Sequence, residues 1–405
     1  MIAIVTGMIA TYPVGGVVWD YGQYALGLER LGFEVYYLED TGWTTYDPRL
    51  RVYGEDPSFG AAYLGTALGA LSETLARRWH FRAMNGQTFG IDAARFNELV
   101  ARADLFLNVS GGTLLRDAYM QCPRKVLIDT DPGWNHFRNY PRLDKDPTWG
   151  GGHGYRAHDH FFTYAERIGH SGCILPTLGI DWQPTRPPVV LDMWTPAPPA
   201  EDWTTVLTWN NYPEVVEYQG VRFGTKEMEF ERIRHLPALV PSRFEVAAGG
   251  VDDVDAPVPQ KGWRPTRSGL EKLGWSVVDA YATSHSPQAY RQYIAQSRGE
   301  FSVAKNIYVA TGSGWFSCRS TCYLACGRPV VVQDTGFSDV IPVGAGVLAF
   351  SSVDEAVAAL NRVEADYAHH QAAALDIATR YFAAGKVLGD LLRRVGLETA
   401  GTPAT

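Results

Sequence analysis

Thr311-Gly312-Ser313-Gly314-Trp315 feeds a stretch of helical character that begins near Ser317. A helix start leaves amide N–H groups without intrahelical partners at the positive end of its dipole, so this junction suits an anion. Ser317, Arg319 and Ser320 would add hydroxyl and guanidinium donors in the first turn. Further on, Asp334-Thr335-Gly336 ends an apolar strand, and its glycine lets backbone approach a ligand closely. A second cationic group, Arg222 and Lys226 in Gly220-Val221-Arg222-Phe223-Gly224-Thr225-Lys226, opens another helical stretch. Positive charge is unfavourable there unless an anion lies beside it. Candidate proton acceptors lie earlier in the chain. Asp131 sits in Asp129-Thr130-Asp131-Pro132-Gly133-Trp134, a strand-end loop stiffened by proline, and Asp20 follows Gly15-Gly16 at the expected start of the first helix, where its plain role is the N-cap. His153 lies in the run Gly150-Gly151-Gly152-His153-Gly154, read as a mobile lid. With His158 and His160 it lacks the helical spacing of metal ligands; strand alternation would put those two on one face, and no metal site is expected.

These groups are scattered, so the fold must gather them. A chain of 405 residues exceeds what one core supports and is expected to divide. Its opening reads strand Ile2–Val5, helix from about Asp20 to Leu31, stop at Gly32, strand Phe33–Leu38, the plan of a strand–helix–strand unit. Leu105–Val109, Val126–Ile128 and His160–Tyr164 are further strands, each running into a polar or Gly-rich loop, and such carboxyl-end loops are where open α/β sheets bind ligands. Six prolines in the sixteen residues Pro184–Pro199 resist helix and central strand and read as a connector. The pattern then restarts with strand Thr204–Thr208, helix Lys226–His235, strand Phe244–Ala247 and a polar loop to about Pro265. A helix Ser286–Ala295, strand Gly299–Val303, a loop Tyr308–Trp315, helix Ser317–Cys326 and strand Pro329–Gln333 follow, with helices after Val353. The expected plan is a first domain over 1–184, a connector over 185–200, a second domain over 201–375, helices over 376–397 that return to the first domain, and a tail over 398–405.

With 46% apolar and 20% charged residues this is an ordinary globular composition, which excludes disordered and collagen-like classes. The net charge of -8 supplies no global field toward nucleic acid or anionic membrane, although a local basic groove is compatible with it. Five cysteines cannot all pair within the chain, no signal peptide or spanning segment is evident, and a cytoplasmic setting is expected. Tyr12-Pro13-Val14-Gly15-Gly16-Val17 lacks dinucleotide-fingerprint spacing, and neither a Walker motif, a nucleophile elbow nor H-E-x-x-H is present.

The segment Gly314–Gly336 resembles GT-B glycosyltransferases: a small-residue loop opens a helix, the helix ends in Ala325-Cys326-Gly327-Arg328-Pro329-Val330-Val331, and the next strand ends in Gln333-Asp334-Thr335-Gly336. The resemblance implies an α/β fold of two Rossmann-like, doubly wound domains facing across a cleft. It implies a nucleotide-sugar donor, a UDP-sugar by preference, as co-substrate, with no permanently bound cofactor and no metal ion. Gly314, Trp315, Ser317, Arg319 and Ser320, with Arg222 and Lys226, would hold the diphosphate; Asp334, Thr335 and Gly336 would hold the sugar. Asp131, Asp20 or His153 would take the proton of an acceptor bound near Gly15, Gly16 and Trp134. Glu300 and Lys305 are lesser donor-site candidates. Many such families carry a ribose-binding Glu where this chain has Cys322, and Cys318, Cys322 and Cys326 read as small packing residues on one helix face. The expected activity is sugar transfer to the hydroxyl of a metabolite, a glycan or a modified nucleic-acid base, modified DNA being possible but not favoured by net charge. A non-catalytic sugar or nucleotide binder and an epimerase are the alternatives. Of twelve tryptophans, Trp134, Trp149 and Trp315 are expected in the cleft and Trp182, Trp194 and Trp203 at the interdomain seam. Trp19 fits either group, and Trp43, Trp79, Trp209, Trp263 and Trp275 are not assigned.

Overall fold

A computed structural model describes residues 1–209, 216–249 and 266–397, so Trp263, most of the loop before Pro265 and the tail over 398–405 lie outside the described residues. Strands β1 (Ile2–Thr6), β2 (Glu34–Glu39), β3 (Thr45–Asp47), β4 (Val52–Gly54), β5 (Trp79–Arg82), β6 (Thr88–Gly90), β7 (Leu105–Val109), β8 (Lys125–Asp129), β9 (His160–Thr163) and β10 (Gln183–Pro184) make up the first half. Eight of them form one sheet in the order β10-β9-β8-β7-β1-β2-β5-β6, parallel except at β5–β6, while β3 and β4 make a separate hairpin. The second half carries β11 (Asp202–Thr208), the hairpin β12 (Val216–Tyr218) and β13 (Val221–Phe223), then β14 (Arg243–Gly249), β15 (Trp275–Asp279), β16 (Gly299–Ser302), β17 (Val330–Gln333) and β18 (Val347–Phe350). Its six-stranded parallel sheet runs β15-β14-β11-β16-β17-β18.

Both sheets are apolar on both faces, as parallel sheets covered by helices must be. Along β1, Ala3 and Val5 enter one core while Ile4 enters another with Leu38, Phe96 and Phe106. Along β17, Val330 and Val332 face one way and Val331 the other, toward Trp203, Phe244, Trp275 and Phe301. Each such fully buried valine contributes about 1.5–3 kcal/mol from apolar area removed from water.

The two halves share one continuous apolar cluster, from Trp19 and Tyr24 through Tyr290, Cys322 and Tyr323 to Leu388. The first helix spans Gly15–Arg30, so it starts five residues before Asp20, and extended Val14 stands at its N-cap. The expected start at Asp20 is therefore corrected. Gly15 and Gly16 belong to the first turn because that turn packs against the second half: a Cβ on Gly15 would lie 2.2 Å from the Ser286 carbonyl oxygen, and one on Gly16 would lie 3.1 Å from the Tyr290 ring. Their expected role in acceptor binding gives way to close domain contact. At its far end the same helix meets the helix Ala384–Arg394, where a Cβ on Gly27 would come within 2.6 Å of Leu388. That late segment is tied to the first half by Val189 N–H to Phe382 O at 2.8 Å and by Arg124 Nε to Val395 O at 3.1 Å.

Three further expectations change. Part of the loop read over Tyr308–Trp315 is helical, in the short helix Asn306–Ala310. His158 precedes β9; it is buried, its ring meets Asn108 Nδ2 at 3.1 Å, and burial pushes its pKa down to about 4. Trp203 is a core residue of the second sheet and Trp182 of the first half, whereas Trp19 and Trp194 stack with centroids 4.7 Å apart.

Candidate active site

The carboxyl ends of the two sheets meet each other. From the first half come the loops after β1, β8 and β9; from the second come those after β16 and β17 with the helix Lys226–Ile233. Asp131, after β8, accepts from Lys305 Nζ at 2.9 Å and from the Tyr308 hydroxyl, a short bond. Both carboxylate oxygens thus hold donors from the opposite domain, and the expected role as a free base gives way to a clamp across the seam. Next to it Trp315 stacks on Tyr308 at 4.3 Å and donates its Nε1–H to Thr130 O at 3.0 Å, so this expected donor-loop residue also crosses the seam. Trp134 packs with Ile307 and Tyr308 beneath the Arg138 guanidinium, 5.2 Å from its ring.

Lys226 differs from its neighbours. It starts a helix fixed by buried Glu229, which accepts from Asn306 Nδ2 at 2.7 Å and Gln333 Nε2 at 2.6 Å, linking the helix to the ends of β16 and β17. Among the described residues no carboxylate pairs with Lys226. Burial drives the pKa of its ammonium well below the usual range, and the positive charges of Arg319 and Lys305 reinforce the shift against the pull of Glu300. Three cations therefore converge on one place with one ammonium unmatched.

Arg319 is spent differently from expectation. Its guanidinium binds Glu300 at 2.7 Å, Val206 O at 2.8 Å and Ser302 Oγ at 2.8 Å, because fully buried Glu300 needs a charge partner. It shapes the cation cluster as a structural tie between β11 and β16. Ser317 is the N-cap of the helix Cys318–Ala325, accepting from the Arg319 amide at 3.2 Å, and Ser320 is buried. Arg222 is exposed on the β12–β13 hairpin.

Asp20 faces the same region from the second turn of its helix. Its Oδ1 is buried without a hydrogen-bond partner. Loss of hydration raises its pKa from 3.8 to about 6, and a hydrogen bond from the Cys318 thiol lowers it in part. A carboxyl poised near neutrality with an unoccupied oxygen is a suitable proton acceptor. Cys322 takes the Gln23 side-chain amide at 3.7 Å, so the place of the expected ribose-binding Glu is filled by packing between the two domains.

The residues expected to hold the sugar are tightly set. Gly314 N–H donates to Thr335 O at 2.8 Å, Thr335 Oγ1 donates to Trp315 O at 2.6 Å, and Asp334 Oδ1 accepts from Gly336 N–H at 2.8 Å. Gly336 has φ +94°, and a Cβ there would lie 2.5 Å from Arg167 Nη1. Arg167 is the residue that pattern reading missed. Its amide donates to Ser313 O at 3.1 Å, its Nη1 to Gly312 O at 3.2 Å, and its Nε meets Asp339 at 3.0 Å, so one first-domain residue holds both the Gly312–Ser313 loop and the segment after Gly336. Its only sequence signal was its place just after a strand's carboxyl end. His153 lies elsewhere, against Asp117, whose side chain is 99% exposed. The glycine run around it is hydrogen-bonded to the preceding loop, His153 N–H to Leu115 O at 2.9 Å and Arg116 Nη1 to Gly150 O at 3.2 Å. Among the described residues no group of three or more His, Cys, Asp or Glu is placed to hold a metal ion, and no helix is long and apolar enough to cross a membrane.

No protein-family model matches the chain, and no curated protein matches it in sequence. Solved structures do match in fold. An α-glucosyltransferase in complex with UDP-glucose and DNA containing an abasic site superposes with a TM-score of 0.55 at 10% identity, covering 97% of this chain and 98% of that one. HepE of Anabaena, in complex with UDP and glucose, gives 0.54 at 10% identity over 98% and 99%. AviGT4, a glycosyltransferase involved in avilamycin A biosynthesis, gives 0.50 at 12% identity over 98% and 97%. The fold is thus that of GT-B glycosyltransferases, two α/β domains facing across a cleft.

Proposed function

We propose that the protein is a glycosyltransferase that moves a sugar from a nucleoside diphosphate sugar, preferably a UDP-sugar, to an acceptor hydroxyl. The observation that carries this reading is Lys226, an ammonium without a carboxylate partner beside Arg319 and Lys305 in the interdomain cleft. A buried cation of this kind is stabilised by an anion that enters and leaves, and a diphosphate supplies one. An α-glucosyltransferase held with UDP-glucose and HepE held with UDP and glucose share the fold, which supports the choice of nucleotide.

In the proposed reaction the acceptor oxygen attacks the anomeric carbon while its proton passes to Asp20. The bond from that carbon to the β-phosphate oxygen breaks, and its electron pair leaves on the diphosphate. Lys226 neutralises the charge that develops there, the preorganised electrostatic contribution that dominates many transfers. Calorimetric titration with UDP, GDP, ADP and dTDP tests the donor assignment. Saturable UDP binding that weakens about 10–100-fold in Lys226→Met is expected; binding of none of the four overturns it. UDP binding with no hydrolysis or transfer of UDP-sugars would instead identify a non-catalytic binder.

A further inference from the structure

A second concave site lies apart from the cation cluster. Trp43, Thr44 and Thr45 follow the carboxyl end of β2, Met84 and Asn85 follow that of β5, and Glu55 follows the β3–β4 hairpin; together they line a cavity of about 180 Å³. It opens at the same sheet edge as the cleft. Tyr46 N–H donates to Thr11 O at 2.9 Å, joining the hairpin to the loop that leads into the Asp20 helix. From the hairpin tip Arg51 reaches Asp279 of the second domain at 3.7 Å.

The lining has a definite chemistry. Trp43 is 39% exposed and Met84 61%, so a flat indole and a thioether stand in water at the mouth of the cavity. The Trp43 indole N–H, the Thr44 hydroxyl and the Glu55 carboxylate have no hydrogen-bond or ion-pair partner among the described residues. The arginines nearby are matched: Arg49 by Asp47 at 2.7 Å, Arg82 by Asp40 at 3.7 Å and Arg51 by Asp279. A phosphodiester ligand would need an unmatched cation and meets a carboxylate instead. An aromatic face ringed by one acidic and several neutral hydrogen-bonding groups fits a neutral saccharide, whose C–H face stacks while its hydroxyls donate to the carboxylate.

We infer that this cavity is a saccharide-binding subsite for the acceptor, seating one neutral sugar unit of a glycan whose reacting end extends toward Asp20. The assignment rests on the transferase reading for its role but not for its ligand. The test is retention of the full-length protein on an array of neutral oligosaccharides, acidic oligosaccharides and single- and double-stranded DNA, without donor, beside a UDP titration of the same samples. Retention on neutral saccharides is expected, weakened at least about tenfold in Trp43→Ala and in Glu55→Gln and less than about threefold in Trp43→Phe. UDP affinity should be unchanged in all three, which also shows that each is folded. Retention on DNA alone, on no saccharide, or undiminished in Trp43→Ala overturns the subsite. Trp43-dependent saccharide retention without UDP binding by the wild-type protein upholds the subsite and overturns the transferase.

Discussion

Lys226 and Asp20 carry opposite liabilities when the cleft holds no ligand. Replacing Lys226 by Met keeps the aliphatic volume and removes an unmatched charge. UDP affinity is expected to fall about 10–100-fold, the scale of a charge-assisted contact, while the thermal midpoint of the free protein holds or rises. A lower midpoint in a melting curve would show the ammonium to be structurally paired. Asp20 binds its proton more tightly folded than unfolded, since its pKa rises from 3.8 to about 6. The stability linked to that proton is complete below pH 3.8 and is lost as pH rises to about 6. Asp20→Asn should therefore gain on the wild type across that window, by on the order of 2–3 kcal/mol, with a flat difference above it. Denaturant melts at several pH values measure this, and sugar transfer should fall in the same variant. Of these residues the position of Lys226 at a helix start was legible in the sequence, and a cation there requires an explanation. The partners of Asp131 were not, because Lys305 and Tyr308 are 174 and 177 residues away.

At the scale of elements, the strands were readable because a buried parallel strand is a short apolar run bounded by turn residues, as Val330–Gln333 shows. The first helix was misjudged at its start because Gly15-Gly16 has poor helix propensity and Asp20 is a good cap residue; contact with Ser286 and Tyr290 outweighs both. Tyr308 was likewise displaced from a loop onto the short helix Asn306–Ala310, which, with Lys305 at its N-cap, brings both side chains to Asp131. Glycines within the donor elements carry a quantitative expectation. Gly336→Ala puts a side chain at φ +94° against Arg167 and should cost about 1–3 kcal/mol in chemical denaturation. Gly385→Ala, in a helix with nothing within 4 Å of the added carbon, should be neutral or stabilising by up to about 1 kcal/mol.

On the scale of the molecule the two domains are held together by close backbone approach between the helix at Gly15 and Ser286 as well as by polar contacts. Gly15→Ala forces the Ser286 carbonyl away and should leave the domains further apart, raising the radius of gyration in small-angle scattering and weakening UDP binding. UDP at about a hundred times its dissociation constant should stabilise the wild type by about 2.7 kcal/mol, and Gly15→Ala by less at the same concentration. The two-domain plan was legible from the repeated strand–helix pattern, but the seam was not, since Arg167 and Gly15 look like ordinary loop residues until the halves are in contact. The helix Ala384–Arg394, laid across the helix Gly15–Arg30, sets a schedule as well as a contact. A ribosome adding about 5–20 residues per second exposes the apolar face of the early helix roughly 20–70 s before the segment that covers it is made. Nascent chains would spend that interval with an uncovered face, so recovery of soluble protein should depend on holdase chaperones and slow growth temperature more than on the stability of the finished fold.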